Sequence, residues 1–224
     1  MPPHSPLRIA HRGAHSIYPE NSLEAILAAL GQGADAIEID VHLTNDGVLV
    51  VHHDPELCDG RQIAGLSSKD FVGVELTSGI RIPMLDEVLE AVADKAILFI
   101  ETKVGGTEFP LMRAVRSSDA ESAVHSFHHE TIRNLKRTMP ALRAGVLTSG
   151  PAADAIAAAR ATRADDIWHS EADIGAELVN AAHGLGQNVI AWTVNSRERC
   201  TDLTALGVDG ICTDDLPLLS AVTR

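Results

Sequence analysis

Short apolar runs recur along the chain, and most are followed by a stretch with apolar residues at helical spacing. The runs predict strands over Leu7–Ala10, Ala36–Val41, Ala96–Glu101, Ala123–Phe127, Arg143–Leu147, Asp166–His169, Asn188–Val194 and Asp209–Thr213. The stretches between them predict helices over Leu85–Ala93, Glu108–Arg116, Glu130–Thr138, Ala152–Arg160, Ala176–His183 and Arg197–Leu206, with a last one from about Leu216 to Ala221. The first helix starts at Asn21-Ser-Leu-Glu24, with Asn21 as cap and Glu24 reaching back to it, and stops at Gly31 or Gly33. Asp46-Gly47 lies between apolar runs and signals a hairpin. That hairpin would set Val41 near Val50 and return His53 alongside Glu38.

Counted with the hairpin as an excursion, the strands make eight βα units. They predict a (β/α)8 TIM barrel, a single domain over residues 1–224 with a short insert at about 55–84 after the second strand. The insert has no clear period beyond one helical turn near Ser68–Val72. A doubly wound open sheet competes, but it would usually carry a glycine-rich turn after a strand, and none is found.

Composition narrows the function. Aliphatic residues and alanine dominate and aromatics are 3%, as suits helices packed on a parallel sheet. A formal charge of −13 without a basic run argues against nucleic-acid partners and against docking on an anionic membrane. No apolar run approaches the ~18 residues of a membrane span, so stable membrane insertion is not expected. The opening MPPHSPLR has no apolar segment and reads as no signal peptide. Cys58, Cys200 and Cys212 have no paired or metal-like spacing, which suits reduced thiols and a cytoplasmic setting.

The chemistry gathers at strand ends, where barrels place their active sites. Glu38 and Asp40 alternate with Ile37, Ile39 and Val41, so both carboxylates share one face. Two such carboxylates repel unless a cation separates them, and Glu101 supplies a third from another strand. An all-carboxylate set favours a hard divalent cation, Mg²⁺ or Ca²⁺. His11 and His53 fall at the same rim, and imidazoles suit paired acid and base roles near neutral pH. His52 should point to the opposite face of its strand. His4, His15, His42, His125, His128, His129, His169 and His183 read as structural. Arg12 and Lys103 supply positive charge for a phosphodiester, with Lys103 also neutralising Glu101. Ser126 and Trp192 complete the strand-end polar set.

Together these residues resemble the glycerophosphodiester phosphodiesterase family. The matching segments are AHRG at 10–13, PENS at 19–22, IEIDV at 37–41, TNDGVLVVHHD at 44–54 and ETK at 101–103, with weaker echoes in SF at 126–127, WTVN at 192–195 and GVDGICTD at 207–214. The resemblance implies a phospholipase C-like (β/α)8 barrel that hydrolyses small-molecule glycerophosphodiesters to glycerol 3-phosphate and an alcohol, within lipid and glycerol metabolism. It implies His11 and His53 as the acid/base pair, with Glu38, Asp40 and Glu101 as metal ligands. Arg12 and Lys103 would be phosphate contacts, and Trp192 a wall against the substrate. Glu20 and Asn21 would support the first loop. PENS stands where PENT is commoner, and Thr102 of ETK should face away from the metal. Two other readings are a lipid phosphodiesterase of the lysophospholipase D or sphingomyelinase D kind, with Leu57, Ile63, Leu66, Phe71 and Val72 of the insert as an apolar lip, and a catalytically silent binding barrel. The sequence leaves open the oligomeric state, which histidine is the base, and whether water or the glycerol hydroxyl attacks.

Overall fold

Eight parallel strands close on themselves in the computed structural model, which describes residues 5–77 and 79–221. In chain order the strands are β1 (Leu7–His11), β2 (Ala36–Leu43), β3 (Leu49–Val51), β4 (Glu75–Thr77), β5 (Ile80–Arg81), β6 (Ile97–Thr102), β7 (Ser122–Ser126), β8 (Arg143–Thr148), β9 (Asp166–Ser170), β10 (Asn188–Trp192) and β11 (Gly210–Thr213). The barrel order is β1-β11-β10-β9-β8-β7-β6-β2, and β1 pairs with β2 to close it. Every barrel pairing is parallel. The helices α1 (Leu23–Gly31), α2 (Leu85–Val92), α3 (Glu108–Arg116), α4 (His129–Thr138), α5 (Ala152–Thr162), α6 (Ala176–Gly184) and α7 (Arg197–Leu206) form the outer layer. After β11 the chain makes a 3₁₀ helix, Leu216–Ala221. The open-sheet alternative is thereby excluded.

The period of the strands explains the two cores. Residues facing outward pack against the helices, and those facing inward meet at the barrel axis. The inward set includes Phe99, Trp168, Ile190 and Cys212, all fully buried. Below them Arg143 donates to Asp166 at 2.7 and 2.9 Å, Asn188 donates to the same carboxylate at 2.7 Å, and the guanidinium lies 5.0 Å from the Phe99 ring centre. This network lies at the N-terminal strand ends, opposite the cavity that opens at the C-terminal ends.

The hairpin excursion forms, one residue out of the expected register. Val41 pairs with Val51 rather than Val50. The turn runs from Thr44 to Val48, closed by Thr44 N donating to Val48 O at 2.9 Å and Gly47 N to Thr44 O at 3.1 Å. The longer turn shifts the ladder. Asp46 accepts from Thr44 Oγ1 at 2.7 Å and from Ser68 N and Oγ, which pins the turn to the insert and holds its carboxyl down at about 2. The insert has a core of its own: Leu57, Ile63, Phe71 and Ile82 close over Val50, with Leu66 packed beside them. Only Val72 of the expected apolar lip is strongly exposed. Hydrophobic burial has used those residues for folding.

Helix α1 begins one residue later than expected. Ser22 is the cap, its Oγ accepting from Ala25 N at 3.1 Å. Asn21 has a left-handed backbone (φ 60°) and its side chain crosses to Asp40. The loop before it turns sharply because Arg12 (φ 55°) and Gly13 (φ 79°) are both left-handed. A Cβ on Gly13 would sit 2.6 Å from Ala25 C and 2.8 Å from Ile26 N, both backbone atoms of α1. Gly13→Ala is therefore expected to cost about 3 kcal/mol, combining left-handed strain and overpacking. A thermal or urea unfolding curve that matches wild type would show that the loop tolerates a side chain there.

Candidate active site

Strand register sets the site. His11 is the partner of Glu38 across β1 and β2, while Asp40, Glu101 and His125 are successive partners across β2, β6 and β7. All but Asp40 line a cavity of about 200 Å³ at the C-terminal strand ends, together with Arg12, His53, Lys103, Trp192 and Phe127. The sequence-derived groups thus converge.

His11 is held from behind. Its Nδ1 lies 2.5 Å from Asp214 Oδ1, and its Nε2 is left 3.9 Å from Glu38 Oε2. Burial opposes charge on this imidazole, but the hydrogen bond to Asp214 and the charge of Glu38 outweigh it, so its pKa lies above the ordinary value. His15 Nε2 also reaches Asp214 Oδ1 at 2.9 Å, and Asn195 donates to Oδ2 at 2.6 Å. His11, His15 and Asp214 could geometrically hold an ion, but both Asp214 oxygens are already taken by these partners. The cluster is an orienting network, with Asp214 held below the usual carboxylate range chiefly by His11. His53 Nδ1 lies 2.8 Å from Asp54 Oδ1, and its carbonyl is bonded by His42 Nε2 at 2.9 Å.

The acids behave differently from one another. Glu38 is fully buried, and burial followed by Asp40 pushes its carboxyl up to about 8. Burial would push Asp40 up too, but Arg12, then Lys103 and the Asn21 amide, hold it below the usual range. Arg12 Nε is 3.0 Å from Asp40 Oδ2, and Arg12 Nη1 donates to both Glu20 oxygens at 3.0 Å. Asn21 donates to Asp40 Oδ2 at 2.9 Å and accepts from Asp40 N at 3.1 Å. Glu20 and Asn21 therefore fix Arg12 and Asp40 rather than line the cavity, and Asn21 is not the helix cap. Lys103 Nζ bridges Asp40 Oδ1 at 3.3 Å and Glu101 Oε1 at 2.8 Å. Thr102 turns away, to Val104 O and Thr107 Oγ1.

Three residues that the sequence reading left aside belong here. Asp214 and His15 orient His11, as above. His125, read as structural, is buried with Nε2 3.7 Å from Glu38 Oε1, and Glu38, Glu101 and His125 present ligand atoms within 4.8 Å of one another. Burial pushes its imidazole down to about 4, so it is neutral. Trp192 is half-buried at the mouth, edge-on to Phe127 at 5.7 Å. Ser126 is a support: it donates to Thr102 O at 2.6 Å and accepts from His128 N at 2.9 Å. Of the other histidines, His42, His128, His129, His169 and His183 bond to backbone or structural groups, as expected. His4 and the start of MPPHSPLR lie outside the described residues.

The donor set fits a divalent cation, since a buried carboxyl raised by its acidic neighbours is relieved when a positive ion shares the space. Comparisons with known proteins name the family. The model of the glycerophosphoryl diester phosphodiesterase family matches residues 11–218. The glycerophosphodiester phosphodiesterase of Caldanaerobacter subterraneus subsp. tengcongensis is 35% identical, over 97% of this chain and 98% of the relative. That of Bacillus altitudinis is 33% identical over 92% and 93%. The crystal structure of the Thermotoga maritima glycerophosphodiester phosphodiesterase superposes with a TM-score of 0.81 at 25% identity, covering 97% of this chain and 99% of that one. With the matched segment running from the end of β1 past β11 and holding every site residue, the chain belongs to the glycerophosphoryl diester phosphodiesterase family of phosphoric diester hydrolases.

Proposed function

We propose that this protein hydrolyses glycerophosphodiesters to glycerol 3-phosphate and an alcohol, with His11 and His53 as the acid/base pair. The observation that carries the reading is the convergence of three imidazoles, two carboxylates and two cationic side chains on one cavity. A phosphodiester there would meet Arg12 and Lys103 at its non-bridging oxygens, where charge grows in the transition state. One imidazole takes the proton of the attacking hydroxyl, and the other gives a proton to the departing oxygen. Glu38, Asp40 and Glu101 would hold Mg²⁺ or Ca²⁺, with Lys103 leaving Asp40 for the substrate phosphate. The cation, when bound, supplies Lewis-acid stabilisation of the phosphoryl oxygens. Trp192 walls the mouth.

Size favours a headgroup-sized substrate. The cavity of about 200 Å³ is below the ~300 Å³ at which pockets begin to enclose drug-sized ligands. The insert's apolar side chains, which a lipid tail would need, are packed inward. The three cysteines are free thiols, which supports a reducing, cytoplasmic setting; no helix among the described residues is long and apolar enough to cross a membrane. The complete charged set opposes the silent-barrel reading.

Phosphorus NMR of product mixtures from a panel of glycerophosphodiesters tests this. Glycerol 3-phosphate is expected from each substrate turned over, and glycerophosphocholine should be cleaved faster than its acylated analogue. The reverse order would favour the lipid reading, and no cleavage of any diester, with Mg²⁺ or Ca²⁺ supplied, would overturn the assignment.

A further inference from the structure

The carboxylates are not the whole donor set. We infer that His125 is a nitrogen ligand in the cation site, and that the site therefore takes first-row transition ions such as Co²⁺ more tightly than an all-oxygen site would. This rests on the cation-dependent reading above.

Three observations carry it. The first is aim. His125 Nε2 ends 3.7 Å from Glu38 Oε1, too long for a hydrogen bond. Two ligand atoms sharing one ion at ~2.1 Å each stand about 3 to 4 Å apart, depending on the angle between them. Glu101 presents its oxygen to the same point.

The second is rigidity. The imidazole is stacked on the Trp168 ring at 4.0 Å and 2°, and it meets the Phe99 edge at 6.3 Å. Neither aromatic can move, because both are fully buried in the barrel axis. The ring is thus fixed in the plane that points Nε2 at the acids. The third is cost. Its Nδ1 is buried without a hydrogen-bond partner among the described residues, a cost that a polar ring bears here only if its other nitrogen, Nε2, has a use. A packing role alone would be served better by an apolar ring.

Carboxylate oxygens suit Mg²⁺, Ca²⁺ and Mn²⁺, whereas imidazole nitrogen adds affinity for later transition ions. Asp40 does not replace this contribution, since it offers only carboxylate oxygen, with Oδ2 already held by Arg12 and Asn21.

The test is calorimetric titration of the metal-stripped protein with Co²⁺ and with Ca²⁺, for wild type, His125→Phe and His125→Gln. The phenylalanine keeps the stack on Trp168 while removing the nitrogen. Both variants are expected to lose at least tenfold in Co²⁺ affinity and less than twofold for Ca²⁺. Pulsed EPR of Mn²⁺ bound to the wild type should show a ¹⁴N coupling that His125→Phe removes, which sets His125 apart from His11 and His53 on the same cavity. Absence of that coupling, or an equal change for both ions, would overturn the inference. A ¹⁴N-coupled ion in a protein that cleaves no diester would leave His125 a ligand and sink the proposed function instead. Hydrolysis with an ion showing no nitrogen coupling would do the opposite.

Discussion

His11→Ala and His53→Ala are each expected to lower kcat by about 10²- to 10⁴-fold, the range for a positioned acid or base, with little change in KM or in the unfolding midpoint. Both side chains are at the rim of the cavity rather than in the core, so the fold has no reason to suffer. The two losses should separate when the leaving alcohol is made acidic. A p-nitrophenyl diester departs without a proton, so the variant lacking the acid recovers on it and the variant lacking the base does not. Asp214→Asn is a milder companion. It removes the negative charge from the hydrogen-bond partner that raises the His11 pKa, so the His11-dependent limb of the rate profile moves to lower pH. Full activity in either alanine variant would remove the assigned roles.

How legible this was follows from where each signal lies. The barrel could be read because strand and helix periods alternate cleanly, and each inward-facing acid follows an apolar neighbour at period two. Glu38 and Asp40 declared themselves through that alternation. His125 obeys the same rule, since Ala123 and His125 share the inward face of β7. The period assigns a side, however, and a single histidine with no other ionisable group on its own strand gives no sign that its partners come from β2 and β6. Asp214 was harder. Its contact with His11 joins residues 203 apart in sequence, and only the closure of β1 against β11 brings them together.

The first loop shows a different limit. Asn21 and Ser22 are both competent helix caps, and local rules could not choose between them. The choice is made by tertiary demand: Asn21 is needed left-handed with its amide on Asp40, which leaves the cap to Ser22. The hairpin register failed for a similar reason. Asp46-Gly47 did mark the turn, but Asp46 is held by Ser68 of the insert, and a five-residue turn, Thr44–Val48, satisfies that attachment.

Stripping divalent cations from the protein is expected to abolish hydrolysis, and the concentration of Mg²⁺ or Ca²⁺ needed to restore it should rise as pH falls. Without a cation, burial and the neighbouring acids keep a proton on Glu38 up to about pH 8. Ligation needs the carboxylate, so below that pH binding must expel a proton, and apparent affinity should fall by about tenfold per pH unit. Above it the dependence should flatten. A free surface carboxylate, already ionised across this range, would give no slope. His125 adds no slope, because its imidazole is neutral down to about pH 4. Calorimetry at pH 6, 7 and 8 in buffers of different ionisation enthalpy would count the protons released. An affinity constant across that range would mean that Glu38 does not ligate the ion, and turnover that survives chelation would mean that the acids at the barrel mouth hold no catalytic ion.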